Sequence, residues 1–269
     1  MIAMGREARA LGSIVRRNFH LIRRYLGWEV VFLFYNIVNT LTIGLIGLSL
    51  PPSQRAKTVV YLAIGALLWN FLSILFQEIA NAVSWERWEG TIEYSFMAPI
   101  HRLTYLFGVC LYAVLYGLLR TMIVLLAIMF FFHVSIRHAD WMGALLVLFG
   151  SVLPFIGLGL MGAVLPLIST ERGAQATQII QGVLLLVSGV YYPVSVLPMW
   201  LRWFSYASPA TYTLQASRAA ILQGRSMGSV VGVSLELMLS GFILVPLGLW
   251  IFTSAEQWAM HRGTLKRNG

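Results

Sequence analysis

Residues 58–83 read TVVYLAIGALLWNFLSILFQEIANAV, an apolar run interrupted by one formal charge, Glu78. A helix needs about 20 mostly apolar residues to cross the hydrocarbon core of a bilayer, so this run is long enough to span. No water is present there to pair backbone N–H and C=O groups, which makes the self-satisfied α-helix the expected form. The rest of the chain repeats the pattern, with further apolar blocks at 28–50, 103–132, 141–168, 175–192 and 230–253. Over 269 residues, 58% are hydrophobic, 11% are charged, and mean hydropathy is +0.77. A soluble domain carries about 25% charged residues because its surface faces water. The expectation is an all-α integral membrane protein with six transmembrane helices, forming one membrane domain over 1–269.

The net charge of +9 and the pI near 10.1 argue little for nucleic acid. The arginines flank apolar blocks and form no patch interleaved with aromatics. Cys110 is the only cysteine, so an intrachain disulfide is impossible. The first 27 or so residues are polar and arginine-rich, and the apolar block after them is long enough to span rather than to be cleaved. Trp28, Trp69, Trp141, Trp200, Trp203, Trp250 and Trp258 fall mostly near the predicted span ends, where interfacial tryptophan is expected without a functional role.

Orientation follows from the cations. With the N-terminus inside, Arg6, Arg9, Arg16, Arg17, Arg23, Arg24, Arg87, Arg102, Arg172, Arg262, Lys266 and Arg267 are cytoplasmic, and Arg55, Lys57, Arg137, Arg202, Arg218 and Arg225 are external. Twelve against six places both termini in the cytoplasm. Residues 1–27 are expected to form an interfacial amphipathic helix. At 100° per residue, Leu11, Ile14, Val15, Leu21, Ile22, Tyr25 and Leu26 share one face and the six arginines the other. A plain positively charged flank is the alternative.

The stretch VYYPVSVLPMWLRWFSYASPATYTL, residues 190–214, is cut by Pro193, Pro198 and Pro209. Proline forbids one continuous helix, yet the residues between are too apolar for free loop. Either 193–216 re-enters the outer leaflet as short helices, or it lies as an external cap on the membrane.

No sequence pattern for covalent chemistry is present. There is no phosphate-cradling glycine loop with its lysine and no H-E-x-x-H, the histidines lack metal-ligand spacing, and Asp140 is the only aspartate. Catalytic residues, a metal and a bound cofactor are therefore not expected. Charges inside spans are costly and become functional candidates, which singles out Glu78, Arg120 and Glu236 as buried charges; quiet interhelical pairing is the alternative. Tyr35, Asn36, Asn39 and Thr42 share one face of the first span, and Gln175, Gln178, Gln181 and Ser188 one face of the fifth. Polar faces avoid lipid, so these line either helix contacts or a route for a partly polar substrate.

Between the second and third spans lies SWERWEGTIEYSFMAPIHR, residues 84–102. As a helix over 84–101, it aligns Trp85, Trp88, Ile92 and Phe96 in one stripe and Glu86, Glu89 and Glu93 in the next, with Gly90 as a bend and Pro99 as a stop. Aromatic anchors beside an acidic row suit docking to a basic groove on a soluble partner. The alternative is a helix lying on the membrane, where three glutamates would meet anionic headgroups.

This segment resembles the coupling motif of the ABC-2 permease family, E-R-x-x-G-T-L-E-x-L-x-x-x-P, with Glu86, Arg87, Gly90, Thr91, Glu93 and Pro99 in place and Ile92 where leucine is usual. A second family pattern matches Ser188-Gly189, Pro193, Leu197-Pro198, Trp200, Pro209 and Arg218. The resemblance, strongest to the drug-exporting branch, implies a homodimeric permease working with two copies of a separate soluble ATPase that binds the ATP and Mg. Segment 84–101 would be the coupling helix in a groove of that ATPase, through Trp85, Glu86, Arg87, Trp88, Glu89, Gly90, Glu93 and Pro99. It also implies a re-entrant 193–216 and a hydrophobic or amphipathic cargo moving between the two copies, in the plasma membrane. Two other functions stay open: export of a lipid-linked glycan, whose branch usually lacks the Gly-Thr-Leu-Glu motif, and ion-coupled secondary transport, which normally carries internal repeats that this chain lacks.

Overall fold

The computed structural model describes residues 2–97, 100–132, 140–169 and 172–262. These form Ile2–Arg24 (α1), Leu26–Ile46 (α2), Pro52–Glu89 (α3), Ile92–Met97 (α4), Arg102–Phe132 (α5), Trp141–Gly162 (α6), Val164–Ile168 (α7), Gly173–Val187 (α8), Met199–Ala207 (α9), Pro209–Gln223 (α10) and Met227–His261 (α11). Among the described residues, five helical segments are long and apolar enough to cross a membrane: α2 with the turn after it, α3, α5, α6 with α7, and α11. The expected span at 175–192 is shorter than anticipated. Its helix α8 has 15 residues, about 22 Å at 1.5 Å per residue, against a core of about 30 Å. The chain leaves helical geometry at Gly189, whose φ of +69° suits glycine, and Pro193 follows.

The run at 58–83 becomes the centre of the bundle. Phe71, Leu72, Leu75, Phe76 and Ile79 are all but inaccessible, and α2, α5, α6, α8 and α10 all pack on α3. Trp69 belongs to this core rather than to the interface expected for it, because α3 is enclosed along most of its length.

The α6–α11 pair makes the most extensive helix–helix contact among the described residues. Gly143, Gly150 and Gly157 recur every seven residues on α6 and face α11, where Ser234, Gly241 and Gly248 recur at the same interval. A Cβ at Gly157 would lie 2.6 Å from the Leu244 carbonyl carbon, and one at Gly150 2.9 Å from the Ser234 carbonyl oxygen. Small residues let two backbones approach this far, and a seven-residue period keeps the seam facing its partner. The Ser234 hydroxyl donates to the Leu146 carbonyl at 2.8 Å across the seam.

The amphipathic α1 does not rest on lipid alone. Ile14 is buried against Gly108 of α5, and Phe19 meets Tyr112 edge-on at 5.4 Å, whereas Leu21, Tyr25 and Leu26 stay exposed. Of the six arginines expected on one solvent-side face, Arg17 turns instead to a protein carboxylate. On the opposite side of the bundle, α9 exposes Met199, Trp200, Trp203 and Phe204, while α10 is mostly buried against α3, α6 and α11. Arg218 is buried on α10. It donates to the Tyr61 hydroxyl and the Gly189 carbonyl, each at 2.9 Å, and to the Val190 carbonyl, with its guanidinium over the Tyr61 ring. Neither Arg218 nor the buried Arg87 is a loop cation. Removing one from each side leaves eleven against five, and the charge bias keeps its sign.

Candidate functional site

The segment 84–101 is not a separate helix. The second span continues through it as the last turns of α3 and stops at Gly90, whose φ is +71°. There the Gly90 N–H donates to the Arg87 carbonyl and the Thr91 N–H to the Glu86 carbonyl at 2.9 Å, a glycine-capped helix end. The helical phase of the span therefore sets which residues face out. Positions 76, 79, 80 and 83 point into the core, and continuing at 100° per residue carries 86 and 87 inward while 85, 88 and 89 point away.

Glu86 and Arg87 accordingly lie inside the protein, at 5% and 2% exposure, not on the docking surface expected from sequence. Arg17 of α1 donates to Glu86 at 2.8 Å, and Tyr105 of α5 lies against both. Arg87 donates to the Pro166 and Leu167 carbonyls of α7. Ile92, expected in the aromatic stripe, is buried at 1% and anchors α4 beneath the turn. The Glu93 and Phe96 side chains and Pro99 lie outside the described residues. The exposed surface consists of Trp85, Trp88 and Glu89 on α3 with Tyr94 and Met97 on α4.

The far end of the segment is tied down as well. Thr104 donates to Glu7 of α1 at 2.6 Å and the His101 N–H to the same carboxylate at 3.3 Å. The Thr104 hydroxyl holds the Glu7 carboxyl below the usual carboxylate range. That tie is therefore present at neutral pH and is lost as pH falls through the lowered value. Arg102 pairs with Glu256, buried on α11. Residues 88–97 thus sit between two sets of polar anchors that reach α1, α5, α7 and α11.

The charges expected inside spans separate into two places. Glu78 and Arg120 meet between α2, α3 and α5, joined by Glu29, which the sequence reading left unmarked in the first span. The Tyr116 hydroxyl donates to Glu29 at 2.6 Å and accepts from Arg120 at 2.8 Å. Tyr112, stacked on Tyr116 at 5.6 Å, and Asn81 lie beside Glu78. Glu29 and Arg120 are thus linked through the Tyr116 hydroxyl, with Glu78 on the neighbouring helix, a grouping of the kind that intramembrane charges favour. Glu236 is elsewhere and is exposed on α11, not buried, because it lies off the face that packs on α6.

The polar stripes remain largely uncovered by the rest of the chain. Tyr35, Asn39 and Thr42 on α2 and Gln175 and Gln178 on α8 are exposed, and Asn36 is half-buried. Gln181 accepts from Gln77 of α3. Both helices pack on α3. Asn36 and Thr42 donate to carbonyls one turn back, Phe32 and Val38, so those donors are satisfied without a ligand.

A family model described as ABC-2 type transporter matches residues 9–222 of the chain. None of the curated proteins compared with it matches.

Proposed function

As a member of the ABC-2 type transporter family, the chain is a multi-pass membrane permease component rather than the ATPase, and we propose that it exports a hydrophobic or amphipathic compound across the plasma membrane as a homodimer. Two copies of a soluble ABC ATPase supply the energy, holding the ATP and Mg, and dock on Trp85, Trp88 and Glu89 with α4. The observation that carries this reading is the exposed aromatic and acidic surface at the end of α3, bracketed by bonds from Glu86, Arg87, His101, Arg102 and Thr104. Such a surface gives a partner both a grip and a path for transmitting motion. The uncovered polar stripes of α2 and α8 suit a cargo route between two copies, since polar faces are unfavourable against lipid. Residues 193–216 act as the re-entrant outer closure of that route.

The test is uptake of the lipophilic dye Hoechst 33342 into inverted vesicles that contain the permease and the ATPase that co-purifies with it. ATP-dependent accumulation that vanadate stops and a proton ionophore leaves intact is expected. Accumulation that ignores vanadate and collapses with the ionophore would instead identify ion-coupled transport.

Topology gives a second expected outcome. On a Cys110→Ser background, a membrane-impermeant maleimide applied to intact cells should label a cysteine at position 54 and spare one at position 89. Both native side chains are exposed in the fold, so protection at 89 reports the membrane. Labelling at 89 from outside overturns the orientation.

A further inference from the structure

Beyond the surface at the end of α3, one cavity combines apolar walls with a charge that is unpaired among the described residues. It lies where α9, α10 and α11 meet, has a volume of about 190 Å³ and opens to one side. Tyr206, Tyr212, Glu236, Leu237, Ser240 and Leu244 line it. The Tyr212 hydroxyl donates to the Tyr206 carbonyl at 2.9 Å and the Ser240 hydroxyl to the Leu237 carbonyl at 2.7 Å, so both have partners within the chain. Glu236 makes no hydrogen bond or ion pair among the described residues. The cations of α9 and α10 are engaged elsewhere: Arg202 by the Leu197 and Ser195 carbonyls, and Arg218 by Tyr61, Gly189 and Val190. Glu236 stands nine residues into α11, about 14 Å along the helix from its start, within the segment that sequence places in the membrane. An ionised carboxylate there is costly without a partner.

We infer that this cavity binds the ammonium head of an amphiphile, with Glu236 as counter-ion and the Tyr206 and Tyr212 rings beside it. The residues select that chemistry. Tyrosine faces attract organic cations, and ammonium heads are recognised by such rings. Leu244 lies two turns below Glu236, about 12 Å along the helix, so the apolar wall continues toward the membrane interior and accepts a tail. A calcium-type ion needs six or more oxygen ligands, and the cavity offers one carboxylate. The site stands apart from the transport reading, since occupancy needs neither an ATPase nor transport. Two sources present this head, a phosphatidylethanolamine of the membrane and a free single-chain amine.

Native mass spectrometry of the intact permease in dodecylmaltoside separates them. With dodecylamine and uncharged dodecanol at equal concentration, amine occupancy should exceed alcohol occupancy by about ten-fold, and by less than about two-fold in Glu236→Gln, which keeps size and loses charge. In the lipid arm, retention of phosphatidylethanolamine over phosphatidylglycerol that is lost in the same variant assigns the site to the membrane's own lipid. An amine preference with no lipid preference assigns it to free amines. The melting temperature of Glu236→Gln should match the wild type, because the carboxylate makes no contact to lose. Equal binding of amine and alcohol, or a preference that survives Glu236→Gln, overturns the site. Dissociation of a dimer by that substitution also overturns it, by assigning the carboxylate to a contact between copies.

Discussion

A permease carrying Trp85→Ala, Trp88→Ala and Glu89→Lys is expected to insert and fold normally, to lose its ATPase on purification, and to lose ATP-driven export. All three side chains are exposed at the end of α3, so their removal leaves no cavity in the permease core. Buried tryptophans at the centre of an interface typically cost about 2 kcal/mol or more each when truncated, and a reversed charge against a complementary groove costs several more. Together these exceed about 4 kcal/mol, roughly a thousand-fold in affinity. Glu86→Lys is the informative contrast. It places a second cation beside Arg17 in a part-buried pair and is expected to lower the melting temperature by several degrees, since breaking such a pair leaves an uncompensated charge. Gly90→Val acts through the backbone, because φ of +71° is unfavourable for a β-branched residue. It should weaken export per ATP hydrolysed more than it weakens association. Undiminished co-purification and export by the triple variant would remove this surface as the coupling element.

The contrast between Glu86 and Glu89 also shows how far the sequence could be read. Composition and apolar run length marked the five long membrane helices but overcounted at 175–192, because the bilayer forces one backbone solution only on a segment of sufficient length and polarity. The motif around Gly90 was visible for the same kind of reason, since few residues other than glycine accept its φ. Glu86 and Arg87 lie past residue 83, where the apolar run stops, so hydropathy alone assigns them to a new helix although α3 continues to Glu89. The spacing 76, 79, 80, 83, 86, 87 already continued one helical face past the apolar residues, so the inward turn of Glu86 and Arg87 was present as phase although absent as hydropathy. Their partners were not legible. Arg17 and the α7 carbonyls lie far from the segment in sequence, and a pair formed through tertiary packing leaves no local periodic trace. Glu29 opens an otherwise apolar span and reads as a flanking charge, and only the fold places it beside Tyr116 and Arg120. Glu236 was recognised as a charge in a span but assigned to the interior. Whether a helical residue faces a neighbour or a cavity depends on which face packs, and here the glycine seam against α6 fixes that face.

That seam gives the second large expected effect. Gly157→Leu should abolish the folded permease, with loss of the monodisperse peak in fluorescence-detected size-exclusion chromatography, or a fall in melting temperature of about 10 °C where some folded protein survives. A Cβ at 157 would sit 2.6 Å from the Leu244 carbonyl carbon and 2.7 Å from its oxygen and Cβ. Two of those three atoms belong to backbone, so no rotamer change relieves the clash and the helices must separate. Separation cannot stay local. Gly248 lies with its own missing Cβ 2.6 Å from the Gly157 carbonyl oxygen, and the Ser234–Leu146 bond about three turns away depends on the same close approach. In a membrane, helix association rests on van der Waals packing and interhelical hydrogen bonds rather than on expulsion of water, so lost contact along the seam has no compensating term. The same substitution at Gly232, also on α11 but with nothing within 4 Å of its missing Cβ, should leave folding intact; intrinsic helix propensity there favours leucine by somewhat under 1 kcal/mol. Because α11 also carries Glu256, the partner of Arg102, Gly157→Leu should loosen the downstream anchor of the exposed segment even in molecules that remain assembled. A Gly157→Leu permease that purifies as a single peak with a melting temperature near wild type would mean that the α6–α11 seam is not closed in the folded protein.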